Sequence, residues 1–146
     1  MKRKVNLGLI GFGTVGTGVI ELLQRNGQII KQKVGTEVSV RAICDKDPER
    51  LRLARRMKIG NGILTKDFNQ ILNNPEIDII VELIGGYEPA RRIVLASIKR
   101  GKHVVTANKA LLAKHWAEIF SKAQKHKVLV YFEASVGAGI PVIQAL

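Results

Sequence analysis

The chain has 146 residues, 46% of them apolar and 25% charged, with a single cysteine. These proportions exclude a disordered, collagenous or disulfide-stapled chain, and the length suits one domain with a real core. The formal charge of +12 raises a phosphorylated ligand or a polyanion as partner. The cations are spread along the chain, however. No aromatic side chains interleave with the densest stretch, Arg50, Arg52, Arg55, Arg56 and Lys58, so a base-stacking platform is unsupported and no nucleic-acid partner is expected.

The basic start precedes a short apolar stretch, residues 5–10, that runs into glycines. This reads as a first strand, not a signal peptide. A helix is expected over residues 14–30, with Val15, Val19, Leu22 and Leu23 as its inward stripe. Residues 38–44 form a second strand. Asp47 caps the following helix, with Pro48 in its first turn. A short third strand, 63–65, precedes a helix near 67–73.

Residues 78–84, DIIVELI, read as a strand buried on both faces, interrupted only by Glu82. A carboxylate there needs a partner: a lysine, or the connection that follows. Gly85 and Gly86 end the strand, and a helix spans 88–100, stopped by Gly101. Residues 103–106 form the fifth strand. Asn108 caps a helix reaching His126, with Leu112, Trp116, Ile119, Phe120 and Ala123 facing inward. Residues 128–132 form the sixth strand. This alternation defines an α/β chain: a doubly wound, Rossmann-type parallel sheet of about six strands with helices on both faces.

After Phe132 comes a glycine-rich loop and the apolar start of a further helix. Residues 1–134 are therefore expected to form a dinucleotide-binding domain. Residues 135–146 would begin the connection into a substrate domain of a longer protein. With one cysteine, no export signal and no apolar run of the roughly 18 residues a membrane helix needs, the expected compartment is the cytoplasm.

Gly11, Phe12, Gly13, Thr14, Val15 and Gly16 form a GxGxxG fingerprint between a strand and a helix. Its glycines allow a tight turn, close approach of a pyrophosphate, and close packing of helix on strand. At the end of the second strand, Asp45 favours the ribose of NAD, while Lys46 and Arg50 could instead hold the 2′-phosphate of NADP. The balance leans slightly to NAD. Asp45 lies 29 residues past Gly16, beyond the usual spacing of about 20. At the same sheet edge, Gly85, Gly86, Asn108 and Lys109 are placed to meet a cofactor or substrate. Glu133 beside a glycine-rich turn could collect a hard cation. His103, His115 and His126 have no ligand-like spacing.

Taken in order, GLIGFGTVGTGV, VELIGGYEPAR, GKHVVTANKALLA and EASVGAGIPVIQAL resemble the nucleotide-binding domain of homoserine dehydrogenases, over residues 5–146. The match is looser over 26–67. That family reduces L-aspartate 4-semialdehyde to L-homoserine with NADPH or NADH, towards threonine, methionine and isoleucine. The resemblance implies that Phe12, Thr14 and Val15 touch the cofactor. It also implies that Gly85, Thr106 and Lys109 line its nicotinamide half, with Lys109 near the reacting carbonyl. A sodium site falls on Glu133, Val136, Ala138 and Ile140. Ala138 stands where the family usually has glycine, which leaves the backbone carbonyl available. The main catalytic lysine and the homodimer interface are expected beyond Leu146, so this stretch alone should bind cofactor with little or no turnover. The alternatives are another amino-acid or semialdehyde dehydrogenase, or a non-catalytic dinucleotide-binding module.

Overall fold

The computed structural model describes residues 4–59 and 62–136. Six parallel strands form one sheet: β1 (Lys4–Ile10), β2 (Glu37–Cys44), β3 (Ile63–Thr65), β4 (Ile79–Glu82), β5 (His103–Thr106) and β6 (Val130–Tyr131). Their order is β3-β2-β1-β4-β5-β6. The chain therefore winds outward from β1 in one direction, returns, and winds outward again from β4. The carboxyl ends of β1 and β4 flank the reversal, where doubly wound sheets bind ligands.

Strand alternation sends side chains to two cores. Leu7, Leu9, Ile43 and Val81 face α1 (Thr14–Val34) and α2 (Pro48–Arg56). Ile10, Ala42, Cys44 and Ile80 face α3 (Phe68–Leu72) and α4 (Ala90–Lys99). Farther along that face, Val104 meets α4 and α5 (Lys109–His126). Gly8 belongs to the second face. A Cβ there would lie 2.4 Å from Cγ2 of buried Ile71, so glycine is what lets α3 sit close to β1.

Capping explains most helix boundaries. Asp47 accepts from the Glu49 N–H, Asp67 from the Asn69 N–H and Asn108 from the Leu111 N–H, each satisfying an orphan donor of a first turn. Helix α1 runs four residues beyond the expected end and stops where Gly35 adopts φ 72° and donates to the Lys31 carbonyl.

Two expected stripes need correction. In α1 the buried positions are Gly16 and Ile20, with the expected Val19 and Leu23 packed partly buried against the same core, while Val15 is 57% and Leu22 53% exposed. Gly16 must face the sheet turn, and that requirement rotates Val15 and Leu22 out of the buried face. In α5, Leu111 is buried beside Leu112, Ile119 and Ala123. Trp116 lies on the surface, stacked on Phe120 at 4.0 Å and edge-on to Phe132. A non-helical turn at His115 offsets it from the inward face. Glu133–Val136, expected as irregular loop, forms the short helix α6.

Candidate dinucleotide site

The fingerprint turn joins β1 to α1. Gly11 donates to the Cys44 carbonyl at 2.8 Å and has φ +103°. A Cβ there would lie 2.8 Å from the Leu83 carbonyl. A Cβ on Gly16 would lie 2.6 Å from the Gly11 oxygen. Both positions therefore demand glycine for space. The Phe12 side chain is buried in the core beside Ile20 and Ala54. Thr14 and Val15 are exposed at the helix start. Among the described residues, no side chain caps α1 and no acidic residue occupies its first turn. A 21-residue helix thus directs uncompensated N–H groups and the positive end of its dipole at the sheet edge, as an anionic pyrophosphate requires.

Asp45 takes part in this turn. Its Oδ2 accepts from the Phe12 N–H at 2.6 Å and its Oδ1 from the Asp47 N–H at 2.9 Å. The Arg50 guanidinium lies 3.4 Å from Oδ2 and 3.6 Å from the Asp47 carboxylate. Beyond Asp45 opens a cleft of about 420 Å³ between the ends of β2 and β4. Lys46, Arg50 and Lys66 bring cations to it, and Phe68, Leu83, Pro89 and Ile93 supply apolar walls. This division of polar rim and apolar wall suits an adenosine. Sequence reading missed Lys66 and Phe68. The signal was the pair Lys66-Asp67, which repeats Lys46-Asp47 after the neighbouring strand: a lysine followed by the Asp that caps the next helix.

Cys44 also lines the cleft. Burial, reinforced by the Asp45 and Asp67 carboxylates, pushes its thiol up to about 11. Iodoacetamide at about pH 8 should therefore meet roughly a hundredfold less thiolate in the native protein than in the unfolded one. Timed alkylation with and without urea reads this difference. The folded state holds the proton more tightly, so the thiol's contribution to stability is complete below pH 9 and is lost towards pH 11.

Across the reversal, Glu82 is fully buried and caps the connection that follows it. Oε1 accepts from the N–H groups of Ile84 at 2.9 Å and Gly85 at 3.3 Å. Oε2 accepts from the Thr106 hydroxyl at 2.6 Å. Thr106 Oγ1 accepts in turn from the Asn108 N–H, and Asn108 Nδ2 donates to the Gly86 carbonyl. Ser135 Oγ closes the set by donating to the Thr106 carbonyl. The loops after β4 and β5 and the start of α6 are thereby fixed to one another. Thr106 itself is buried, so its side chain acts within this network. Gly85 and Gly86, both at φ +71°, have open space where a Cβ would stand.

Lys109 is exposed at the first position of α5 and lines an apolar groove with Leu112, Ala113, Trp116, Ser135 and Val136. Gly11, Gly13, Asp45 and Lys46 thus share one cleft, Phe12, Gly13 and Thr14 share its neighbour, and Lys109 lies farther along the edge. Glu133 Oε1 is buried, without a hydrogen-bond partner among the described residues. Ala138 and Ile140, the other expected cation ligands, lie outside the described residues.

An uncapped helix start and a glycine turn at the reversal of a 3-2-1-4-5-6 sheet define a dinucleotide-binding domain of the doubly wound class. Comparison with known proteins narrows this. A family profile described as the NAD-binding domain of homoserine dehydrogenase matches residues 11–133, and the chain belongs to that family. It is 45% identical to the homoserine dehydrogenase of Pseudomonas aeruginosa over 99% of its own length and 32% of the relative's. The corresponding figures for the Bacillus subtilis homoserine dehydrogenase are 33%, 99% and 33%. The chain thus spans about a third of the length of these curated relatives. The crystal structure of a homoserine dehydrogenase from Thiobacillus denitrificans superposes with a TM-score of 0.89 at 45% identity, over 97% of this chain and 32% of that one. A hyperthermophilic archaeal homoserine dehydrogenase in complex with NADPH gives 0.76 at 25% identity, over 97% and 47%. In both described and compared terms this is an NAD(P)-binding domain. Among the described residues, no helix is long and apolar enough to cross a membrane.

Proposed function

We propose that this chain is the cofactor half of an enzyme that reduces L-aspartate 4-semialdehyde to L-homoserine with a reduced nicotinamide dinucleotide. The observation that carries the reading is the uncapped start of α1 beneath a glycine turn, in a chain that belongs to the homoserine dehydrogenase family. A bound reduced nicotinamide would supply the hydride for the aldehyde carbon. The chain's own part is placement. The N–H groups at Gly13, Thr14 and Val15 hold the pyrophosphate. Gly85 and Gly86 leave room for the nicotinamide half, and the Glu82 network keeps their loop in place, which is where an entropic advantage arises. The Lys109 ammonium stabilises negative charge developing on the carbonyl oxygen and can deliver a proton to it.

Residues 135–146 would lead into a substrate domain carrying the main catalytic lysine. The active protein would be a cytoplasmic homodimer. A sodium ion would be held by Glu133 with the carbonyls of Val136, Ala138 and Ile140. The buried Oε1 of Glu133, without a hydrogen-bond partner among the described residues, suits a hard cation.

The test is oxidation of NADPH or NADH by the full-length protein, with and without aspartate semialdehyde. Substrate-dependent oxidation is expected, and its absence from a folded, cofactor-binding protein would replace the catalytic reading with a binding module. Lys109→Met should lower kcat by about a hundredfold with cofactor Kd little changed.

A further inference from the structure

Gly85 and Gly86 give the loop after β4 its room but little stiffness. Both adopt φ +71°, and among the described residues nothing lies within 4 Å of a Cβ built at either. Packing at these two residues therefore does not fix their backbone. The loop is held from its two ends instead. Before the glycines, Glu82 accepts from the Ile84 and Gly85 N–H groups. After them stands Tyr87, whose carbonyl accepts from the Arg91 N–H at 2.8 Å.

The Tyr87 ring reaches the neighbouring helix, α5. The Lys114 ammonium sits over the ring, 4.6 Å from its centroid, and the His115 ring meets it edge-on at 6.3 Å. Glu118 lies 3.8 Å from His115 Nδ1 and takes Arg91 of α4 through two hydrogen bonds of 2.7 and 2.8 Å. The ring is 47% exposed and belongs to none of the hydrophobic cores, so its contacts with α5 are what place it.

The position of this seat along α5 matters. The helix is interrupted at His115, with φ −122° and ψ 21°. Lys114 belongs to the turns before the break. So does Lys109, about 7 to 8 Å away along the axis. The Asn108 cap and the buried side chains of Leu111 and Leu112 fix those turns. Asn108 also donates to the Gly86 carbonyl at 2.7 Å. Gly86 and Tyr87 are thus both tied to the segment that carries Lys109.

We infer that Tyr87 is a positioning residue for hydride transfer: seated on Lys114 and His115, its ring sets the Gly85–Gly86 loop relative to Lys109. The inference rests on the catalytic reading above and adds to it the side chain that aligns the nicotinamide side of the site with the carbonyl that Lys109 would meet. Misalignment of about 1 Å between reacting groups is felt in the rate, whereas contacts to the other half of the dinucleotide are left as they were.

The test uses the full-length protein with NADPH and aspartate semialdehyde, and ADP-ribose as a probe that lacks the nicotinamide. Hydride transfer is followed in single turnovers at saturating cofactor and substrate. Tyr87→Ala should slow it by about tenfold or more and leave the Kd of ADP-ribose unchanged. Tyr87→Phe keeps the ring, and with it the seat, and should restore the rate to within about twofold of wild type. If the alanine variant fails to fold, Tyr87→Leu, which keeps apolar bulk but offers the ammonium no ring face, gives the same readout. A wild-type rate in Tyr87→Ala or Tyr87→Leu would overturn the inference. So would a Tyr87→Phe protein as slow as the alanine variant, since the hydroxyl and not the seated ring would then be at work. A folded wild type that binds NADPH without turning over would fell the catalytic reading itself, whereas wild-type turnover undisturbed by the substitutions would fell only the role of Tyr87.

Discussion

Glu82→Ala is expected to lower stability by about 3–5 kcal/mol, a fall in Tm of roughly 10 °C for a domain of this size. The carboxylate satisfies three donors at a site without solvent: the N–H groups of Ile84 and Gly85 and the Thr106 hydroxyl. Alanine leaves all three without their acceptor and opens a cavity between β4 and β5. The damage also spreads through Thr106 to Asn108 and Gly86. Glu82→Gln should cost less, about 1–2 kcal/mol. Its amide oxygen can still accept from the two N–H groups, while its NH₂ meets a Thr106 hydroxyl that had been donating. Urea unfolding measures the two costs. Faster amide exchange at Ile84 and Gly85 in the alanine variant would place the loss in this loop, and a stability equal to wild type would dismiss the network as decoration.

The largest effect on binding is expected from Gly11→Ala. An alanine there must hold φ near +103° and place a Cβ 2.8 Å from the Leu83 carbonyl. Strain and clash together should cost about 2–4 kcal/mol. Relief is available only by separating the turn from β4. That moves the Gly13 and Thr14 N–H groups off the pyrophosphate, and Kd for the dinucleotide should rise by about a hundredfold or more. Gly101→Ala is the matched control. Its φ is +72° with nothing within 4 Å of the new Cβ, so it should cost about 1 kcal/mol and leave binding intact. Thermal melts and cofactor titration of the two variants separate backbone strain from steric closure.

Much of the architecture was legible in the sequence because its boundaries are chemical. Asn108 and Gly101 are side-chain and backbone stop signs, and β3, β5 and α5 fall where such residues place them. Residues 78–84 read as one strand, but the ladder ends at Glu82. The reason is the Glu82 side chain, which takes the next N–H groups for itself. Strand β6 is likewise shorter than the apolar run that contains it, having among the described residues a neighbour only at β5. Val19, Leu23, Leu112, Ile119, Phe120 and Ala123 do pack on their cores; Val15, Leu22 and Trp116 were misplaced because side-chain size was weighed and the turn geometry at Gly16 and His115 was not. In the site, the fingerprint was plain, being a local pattern. The bonds of Asp45 and the approach of Lys66 were not, because both depend on β2 lying between β1 and β3.

Trp116 is the only tryptophan of the chain. It sits on the rim of the groove that holds Lys109 and Val136, 47% exposed and stacked on Phe120. Its emission therefore carries a single, unmixed optical signal from the region where α5 meets α6. A half-wetted indole shifts to shorter wavelength when its surroundings dry, and a reduced nicotinamide absorbs in the range where an indole emits. Closure of the groove and arrival of the cofactor would thus be recorded by one native fluorophore through two separate channels, spectral shift and energy transfer, without any label.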